Sequence, residues 1–316
     1  MRFLTAAACI FLTAGCAPSG NPDSPPVDSP ALASETFSPF LPRVESPTGT
    51  ADFTPSPSDT EDPASLASST ETPMPAESIN PLTITISYNN IPFDPRLTTD
   101  WGFSALVERR DEILLFDTGG NGQILLRNMQ VLEVDPARVQ NVVLSHAHSD
   151  HTGGLSAFLD ASSHPPVFLL ASFGTSFIQS VKQRTEVIEA TPGLQIAENI
   201  LTTGNVGGSI PEQSLVIRTR KGLVVITGCA HPGIVRIVER AVALTGEPVY
   251  LVLGGFHLRD MSDDQIASIL RDFRRLGVQK VAPSHCTGER AIAMFAAEYG
   301  DDFLRTGAGS IIHVEE

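Results

Sequence analysis

From Leu82 the chain alternates apolar and polar side chains, Leu82-Thr83-Ile84-Thr85-Ile86-Ser87-Tyr88, the period-two pattern of a half-buried strand. Two further apolar runs, Phe103–Val107 and Ile113–Phe116, flank the charged stretch Glu108-Arg109-Arg110-Asp111-Glu112 and predict a hairpin. The second run enters the turn Asp117-Thr118-Gly119-Gly120, followed by a predicted helix over about Gln123–Leu132. Val142-Val143-Leu144 reads as a short buried strand, with a helix beginning near Gly153. A second hairpin joins Leu215–Thr219 to Leu223–Ile226 across Arg220-Lys221-Gly222. Beyond it the pattern predicts helices over Ile234–Leu244, Asp264–Leu276 and Glu289–Ala297. Strands over Val249–Leu253, Lys280–Ala282 and Ile311–Val314 are interleaved with them. Hairpins mixed with strand–helix units imply an α/β layered domain over residues 81–316.

Residues 17–80 have no such period. They are Pro, Ser, Thr, Ala and acid, and 13 of the 24 prolines lie between Pro18 and Pro75. Such a segment buries too little apolar surface to offset the entropy of ordering it, so residues 16–80 are expected to form a disordered, extended spacer. Ten acidic residues and the single base Arg43 fall within residues 17–80, so most of the net charge of −15 belongs there. No basic cluster occurs anywhere, which argues against a nucleic-acid partner. Ahead of the spacer, Arg2 and the apolar run Phe3–Leu12 have the shape of a secretory signal peptide. Its close, Leu12-Thr13-Ala14-Gly15-Cys16, resembles a bacterial lipobox. That resemblance implies cleavage after residue 15, lipidation of Cys16, and export to the outer face of a membrane. An ordinary signal peptide cut nearby, with Cys16 incidental, is the competing reading.

Six of the eight histidines, His146, His148, His151, His231, His257 and His285, follow predicted strand ends, where sites are assembled; His164 and His313 do not. The densest stretch is Ser145-His146-Ala147-His148-Ser149-Asp150-His151. Imidazoles and a carboxylate at this spacing suit Zn, Fe or Mn better than calcium, which takes more oxygen. Alternation puts His146 and His148 on one side of an extended turn. Asp150 and His151 then swing toward a second metal as the helix begins.

The pattern His-X-His-X-Asp-His after a buried strand resembles the signature of the metallo-β-lactamase superfamily, and Phe116-Asp117-Thr118-Gly119 is similar to its structural aspartate turn. Thr227-Gly228-Cys229-Ala230-His231-Pro232-Gly233, Gly254-Gly255-Phe256-His257 and Pro283-Ser284-His285-Cys286 resemble a narrower branch. Its members are described as dihydropterin ribofuranosyl-aminobenzene-phosphate synthase-like proteins or as metal-dependent hydrolases of β-lactamase superfamily II. The resemblance implies a four-layer αββα sandwich, two divalent metal ions (zinc first, iron or manganese as alternatives) and a small-molecule substrate.

It also implies a ligand set of His146, His148, Asp150, His151, His231 and His285, with Asp117 fixing a ligand ring from behind. Two departures leave choices open. The third-motif histidine of most members is missing from its place, since His164 lies too near the first cluster. Thr-Gly-Cys stands where Thr-Gly-Asp is usual. Cys229 takes the bridging position, His231 supplies the missing imidazole, or both. His257 is a ligand or a nearby catalytic acid, and Asp150 also orients the attacking hydroxide. The expected function is a membrane-tethered hydrolase of a phosphoester or phosphodiester, using a metal-bridged hydroxide. A pterin-linked synthase and a non-enzymatic metal-binding lipoprotein are the alternatives. A Cys229–Cys286 disulfide is weighed against thiols and disfavoured.

Overall fold

A computed structural model describes residues 82–315, so the expectations for the signal peptide (1–15) and the spacer (16–80) lie outside the described residues. In chain order the strands are β1 (Leu82–Asn89), β2 (Phe103–Arg109), β3 (Glu112–Phe116), β4 (Asn141–Val143), β5 (Val167–Leu169), β6 (Val187–Glu189) and β7 (Gln195–Ala197). They continue as β8 (Ile200–Thr202), β9 (Leu215–Thr219), β10 (Gly222–Thr227), β11 (Val249–Gly255), β12 (Lys280–Ser284) and β13 (Ile311–Val314). The helices are α1 (Gly122–Val131), α2 (Ser149–Thr152), α3 (Leu155–Ala161), α4 (Thr175–Lys182), α5 (Ile234–Thr245), α6 (Asp263–Arg275) and α7 (Glu289–Tyr299).

The strands form two mixed sheets. One has the order β13-β1-β2-β3-β4-β5-β6 and the other β12-β11-β10-β9-β8-β7. Period-two alternation sorts their side chains between layers. Ile84, Ile86, Phe103 and Phe116 from the first sheet meet Ile217, Val224, Ile226 and Leu253 from the second in the central core. The residues between them point outward. Leu106, Ile113 and Leu115 pack under Leu125, Met129 and Phe158 of α1 and α3, while Leu223 and Val225 pack under Ile237, Val238, Phe273 and Phe295 of α5, α6 and α7. The result is the expected four-layer αββα sandwich. Helix α6 starts at a capping box: the Ser262 hydroxyl accepts from the Gln265 N–H, and the Gln265 side chain accepts in return from the Ser262 N–H.

The pattern between residues 162 and 214 predicts no elements, yet β5 to β8 and α4 lie there. Four strands of three residues carry too few positions for a period to show, and only their neighbours in the sheets select them. For the site, what matters is where the strands end. The loops leaving β3, β4, β10, β11 and β12 carry Asp117, the His146–His151 cluster, Cys229 and His231, His257, and His285 respectively.

Candidate metal centre

Strand β3 stops at Asp117, which is fully buried and takes a left-handed turn (φ 57°). Such a backbone costs an L-residue about 1 kcal/mol or more. It aims a carboxylate inward. Oδ1 accepts from the Ser145 N–H at 2.7 Å; Oδ2 accepts from the Ser145 hydroxyl at 2.7 Å and from His151 Nδ1 at 2.7 Å. His151 Nε2 is thereby left as a lone-pair donor, 3.3 Å from Cys229 Sγ and 3.6 Å from Asp150 Oδ2. The Ser145 hydroxyl also meets His146 Nδ1 at 2.9 Å, which fixes that ring the same way and frees His146 Nε2, 3.1 Å from His148 Nδ1. One buried carboxylate therefore orients two rings, one directly and one through a serine.

The loop after β10 is held by Glu212, a residue the sequence reading did not single out. It is fully buried just ahead of β9. Its Oε1 accepts from the N–H groups of Gly228 (3.1 Å), Cys229 (3.0 Å) and Ala230 (2.9 Å), and its Oε2 from that of His231 (2.9 Å). Ala230 is left-handed (φ 61°), so the loop curls around the carboxylate. Burial pushes the Glu212 carboxyl up to about 7 despite these donors, and a cation nearby would draw it back toward the ionised form. Gly228 brings the two sheets' loops together: a Cβ there would lie 2.2 Å from Ser145 Oγ and 3.0 Å from Asp117 Oδ2.

His285 (φ 50°) and His257 (φ 56°) leave β12 and β11 in the same strained conformation. His285 Nδ1 meets Asn90 Oδ1 at 2.8 Å, and the Asn90 amide donates to the His285 carbonyl at 3.3 Å. The other ring nitrogen thus faces Asp150 Oδ2 at 3.3 Å, too poorly aligned for a hydrogen bond. His257 is exposed, its ring 4.3 Å from that of His231.

The expected residues converge into abutting groups. Asp150, His151, Cys229 and His285 place one donor atom each within 4.8 Å of one another, and so do His146, Cys229 and His231. A third group, Cys229, His257 and Cys286, adjoins them. The Cys229 thiol belongs to all three. His148 stands beside the second group, its ring 4.7 Å from His146 and 4.8 Å from His231. His164 is exposed, and its hydrogen bonds run to Ser162 and Thr185, away from the site. Both Cys229 and Cys286 are free thiols, which removes the disulfide reading for the described structure.

The donor set fits a cation. His231 Nε2 and His285 Nε2 are buried ring nitrogens with no hydrogen-bond partner, an expensive arrangement unless something electrophilic meets them. Burial, then the neighbouring imidazoles, hold His146 far below its ordinary value, and burial lowers His231 to about 4, so both are neutral as ligands must be. Burial works against His151⁺, but Asp117 overrides it and raises the ring to about 9, so a cation at Nε2 would have to displace a proton there while Asp117 keeps the one on Nδ1. Burial would also raise Asp150, yet the adjacent His285 and His151 hold it below the ordinary carboxylate value. Hydrogen bonding to Cys286 and burial push the Cys229 thiol up, so a cation is what would make it a thiolate.

Comparison with known proteins gives three findings. The family profile of the metallo-beta-lactamase superfamily matches residues 99–168. A protein of Methanocaldococcus jannaschii named 7,8-dihydropterin-6-methyl-4-(beta-D-ribofuranosyl)-aminobenzene-5'-phosphate synthase is 32% identical over 263 residues, covering 67% of this chain and 89% of that protein. The crystal structure of a metal-dependent hydrolase of the beta-lactamase superfamily superposes with a TM-score of 0.65 at 31% identity, over 74% of this chain and 100% of that one.

Proposed function

This chain belongs to the metallo-beta-lactamase superfamily, and from that premise we propose that it is a dinuclear metal-dependent hydrolase acting on a phosphoester or phosphodiester. One observation carries the reading: two groups of donors, all but Asp150 and His231 buried, abut on a single thiol, with the orphaned Nε2 atoms of His231 and His285 one in each. In this reading His146, His148 and His231 hold one metal, Asp150, His151 and His285 hold the second, and Cys229 lies between. Divalent ions bound there would supply Lewis acidity toward a phosphoryl oxygen and a lowered pKa for water.

The chain's own residues do the rest. Asp117 and Asn90 lock the rings of His151 and His285, and Glu212 keeps the Cys229–His231 backbone curled toward the centre. Asp150 Oδ2, the less buried carboxylate, accepts a proton from the attacking water. His257, exposed beside His231, exchanges protons with solvent and serves the leaving oxygen. A phosphoester suits the cluster because cations stabilise anionic oxygens most.

Full-length protein is expected to hydrolyse bis(p-nitrophenyl) phosphate after zinc loading and to lose that activity on chelation. The second reading, a synthase that transfers a group onto a pterin, draws on the name of the 32% identical relative. No turnover on any phosphoester, with metal-dependent transfer onto a pterin acceptor, would decide for it. Binding of metal without either reaction would leave the non-enzymatic reading.

Cys229 admits a spectroscopic check. Thiolate is a softer donor than the usual carboxylate and favours zinc or cobalt over manganese. Cobalt-loaded protein is expected to show a near-ultraviolet sulfur-to-metal charge-transfer band, which Cys229→Asp abolishes while both metals stay. With no band, and with Cys229→Ala neutral where His231→Ala is severe, the cysteine is only a small buried residue.

The proposed setting is the outer face of a bacterial membrane, with Cys16 as the lipid anchor. Cys16→Ser is expected to leave the membrane fraction; a variant that sediments with membranes like the parent removes the anchor.

A further inference from the structure

A cleft of about 810 Å³ opens beside the centre, with His285 in its wall. Its volume is that of a small-molecule site. Ile91, Pro92, Ile292 and Phe303 make its walls largely apolar, and two guanidiniums, Arg259 and Arg305, line it against one carboxylate, Glu289. Among the described residues neither arginine has an ion-pair partner, although the domain's other arginines commonly do, as Arg184, Arg274, Arg275 and Arg290 show.

Arg259 is positioned. Its backbone rests on Gly288 (φ 84°), where a Cβ would lie 2.8 Å from the Arg259 Cα, so position 288 admits no side chain without moving it. Its guanidinium carbon lies 4.4 Å from the centroid of the Trp101 ring, and that ring sits 4.8 Å from His285. The series Arg259–Trp101–His285 thus runs from a cation to a donor of the centre. Stacking occupies the face of a guanidinium and leaves its in-plane N–H groups for an anion. Trp101 keeps 40% of its surface exposed.

We propose that this cleft is the subsite for a non-reacting oxyanion of the substrate, a phosphate or carboxylate carried on a flat apolar body. The charge sits between Arg259 and Arg305, the apolar body lies along Ile91, Pro92, Ile292 and Phe303, and the reacting group reaches past His285 to the donors around Cys229. The assignment deepens the hydrolase reading and rests on the centre being where the reaction occurs. It restricts the substrate class: a molecule with one charged group reacts poorly, and one with a second oxyanion beyond an apolar spacer is preferred.

Trp101 is the sole tryptophan of the chain and stacks on Arg259, so its fluorescence reports on that guanidinium as the cleft fills. Zinc-loaded full-length protein is titrated with phenylphosphonate, a non-hydrolysable aromatic oxyanion. A saturable change is expected, with Kd raised about tenfold or more by Arg259→Ala and by Arg305→Ala, the scale of a lost charge-assisted contact. Arg305→Ala is the cleaner variant, because Arg305 does not stack on the fluorophore. Benzyl alcohol, the ring without the charge, is expected to bind at least about tenfold more weakly. Arg184→Ala, which removes an arginine paired with Asp160 away from the cleft, is expected to leave the phenylphosphonate Kd within about twofold. Binding that Arg305→Ala leaves unchanged and that removal of the zinc abolishes puts the anion on the metals and overturns the subsite. So does equal affinity for benzyl alcohol, or no saturable change at millimolar phenylphosphonate. None of these readouts uses turnover. The hydrolase reading fails separately, on loss of metal-dependent bis(p-nitrophenyl) phosphate cleavage.

Discussion

Asp150→Ala is expected to cut turnover of bis(p-nitrophenyl) phosphate by roughly a thousandfold, and to lower bound metal from near two equivalents toward one. Asp150 Oδ2 lies between two converging imidazole nitrogens, 3.3 Å from His285 Nε2 and 3.6 Å from His151 Nε2. It lies in the one-turn helix α2, and its side chain keeps 17% of its surface exposed, so alanine costs the fold little. The loss should therefore fall on kcat and metal content while the melting temperature of the chelated protein stays near that of the parent. His148→Ala is the companion variant and should empty the other position first. Unchanged stoichiometry in both variants, with turnover within tenfold of the parent, would falsify the two-metal assignment.

Glu212→Ala should be worse for the fold than for any single chemical step. Four backbone N–H groups, from Gly228 to His231, share that one buried carboxylate. Each buried donor left without an acceptor costs about 1–3 kcal/mol, and even with some water admitted the sum is a large part of a domain's usual 5–15 kcal/mol. Soluble Glu212→Ala protein is expected to melt far below the parent and to hold neither metal well, because Cys229 and His231 lose their backbone support together. Glu212→Gln separates the contributions. Its carbonyl oxygen can replace Oε1 and keep three of the donors, but its amide nitrogen then faces the His231 N–H, donor against donor. The expected order of melting temperature and zinc content is parent, then Gln, then Ala. Equal values for Gln and Ala would mean that the buried charge, rather than the acceptor geometry, organises the loop.

The difference between Asp150 and Glu212 is also a difference in legibility. Asp150 announces itself because three imidazoles lie within four residues of it, inside His146-Ala147-His148-Ser149-Asp150-His151, although its nearest partner, His285, comes from far along the chain. Glu212 is an unremarked acid before a strand, in the stretch from 162 to 214 where no period shows. Its partners come 16 to 19 residues later, across a hairpin, and no local pattern marks a carboxylate that will be buried under four N–H groups. Arg259 and Trp101 are hidden for the same reason. They are separated by more than half of the described chain and meet only where loops from the two sheets come together.

The amino-acid sequence by itself determined the layers and the kind of chemistry. Period-two strands and amphipathic helices dictate which faces must be buried, and their order implies helices covering sheets; the four-layer arrangement of two facing sheets is what the family resemblance implies. Imidazoles and a carboxylate at strand exits dictate a cation, because side chains so close together have little else to do there. Tertiary structure alone decided how the donors are shared. The left-handed turns at Asp117, Ala230, His257 and His285 cost free energy that only the surrounding packing offsets, so no local propensity foretells them. The choice among Cys229, His231 and both stayed open in the sequence; the folded chain sets the Cys229 thiol within reach of three donor groups at once. That position follows from the registers of β10, β11 and β12 and from the close approach of Gly228 to Ser145. These are contacts between residues far apart in the chain, set by packing that the pattern around any one residue does not contain.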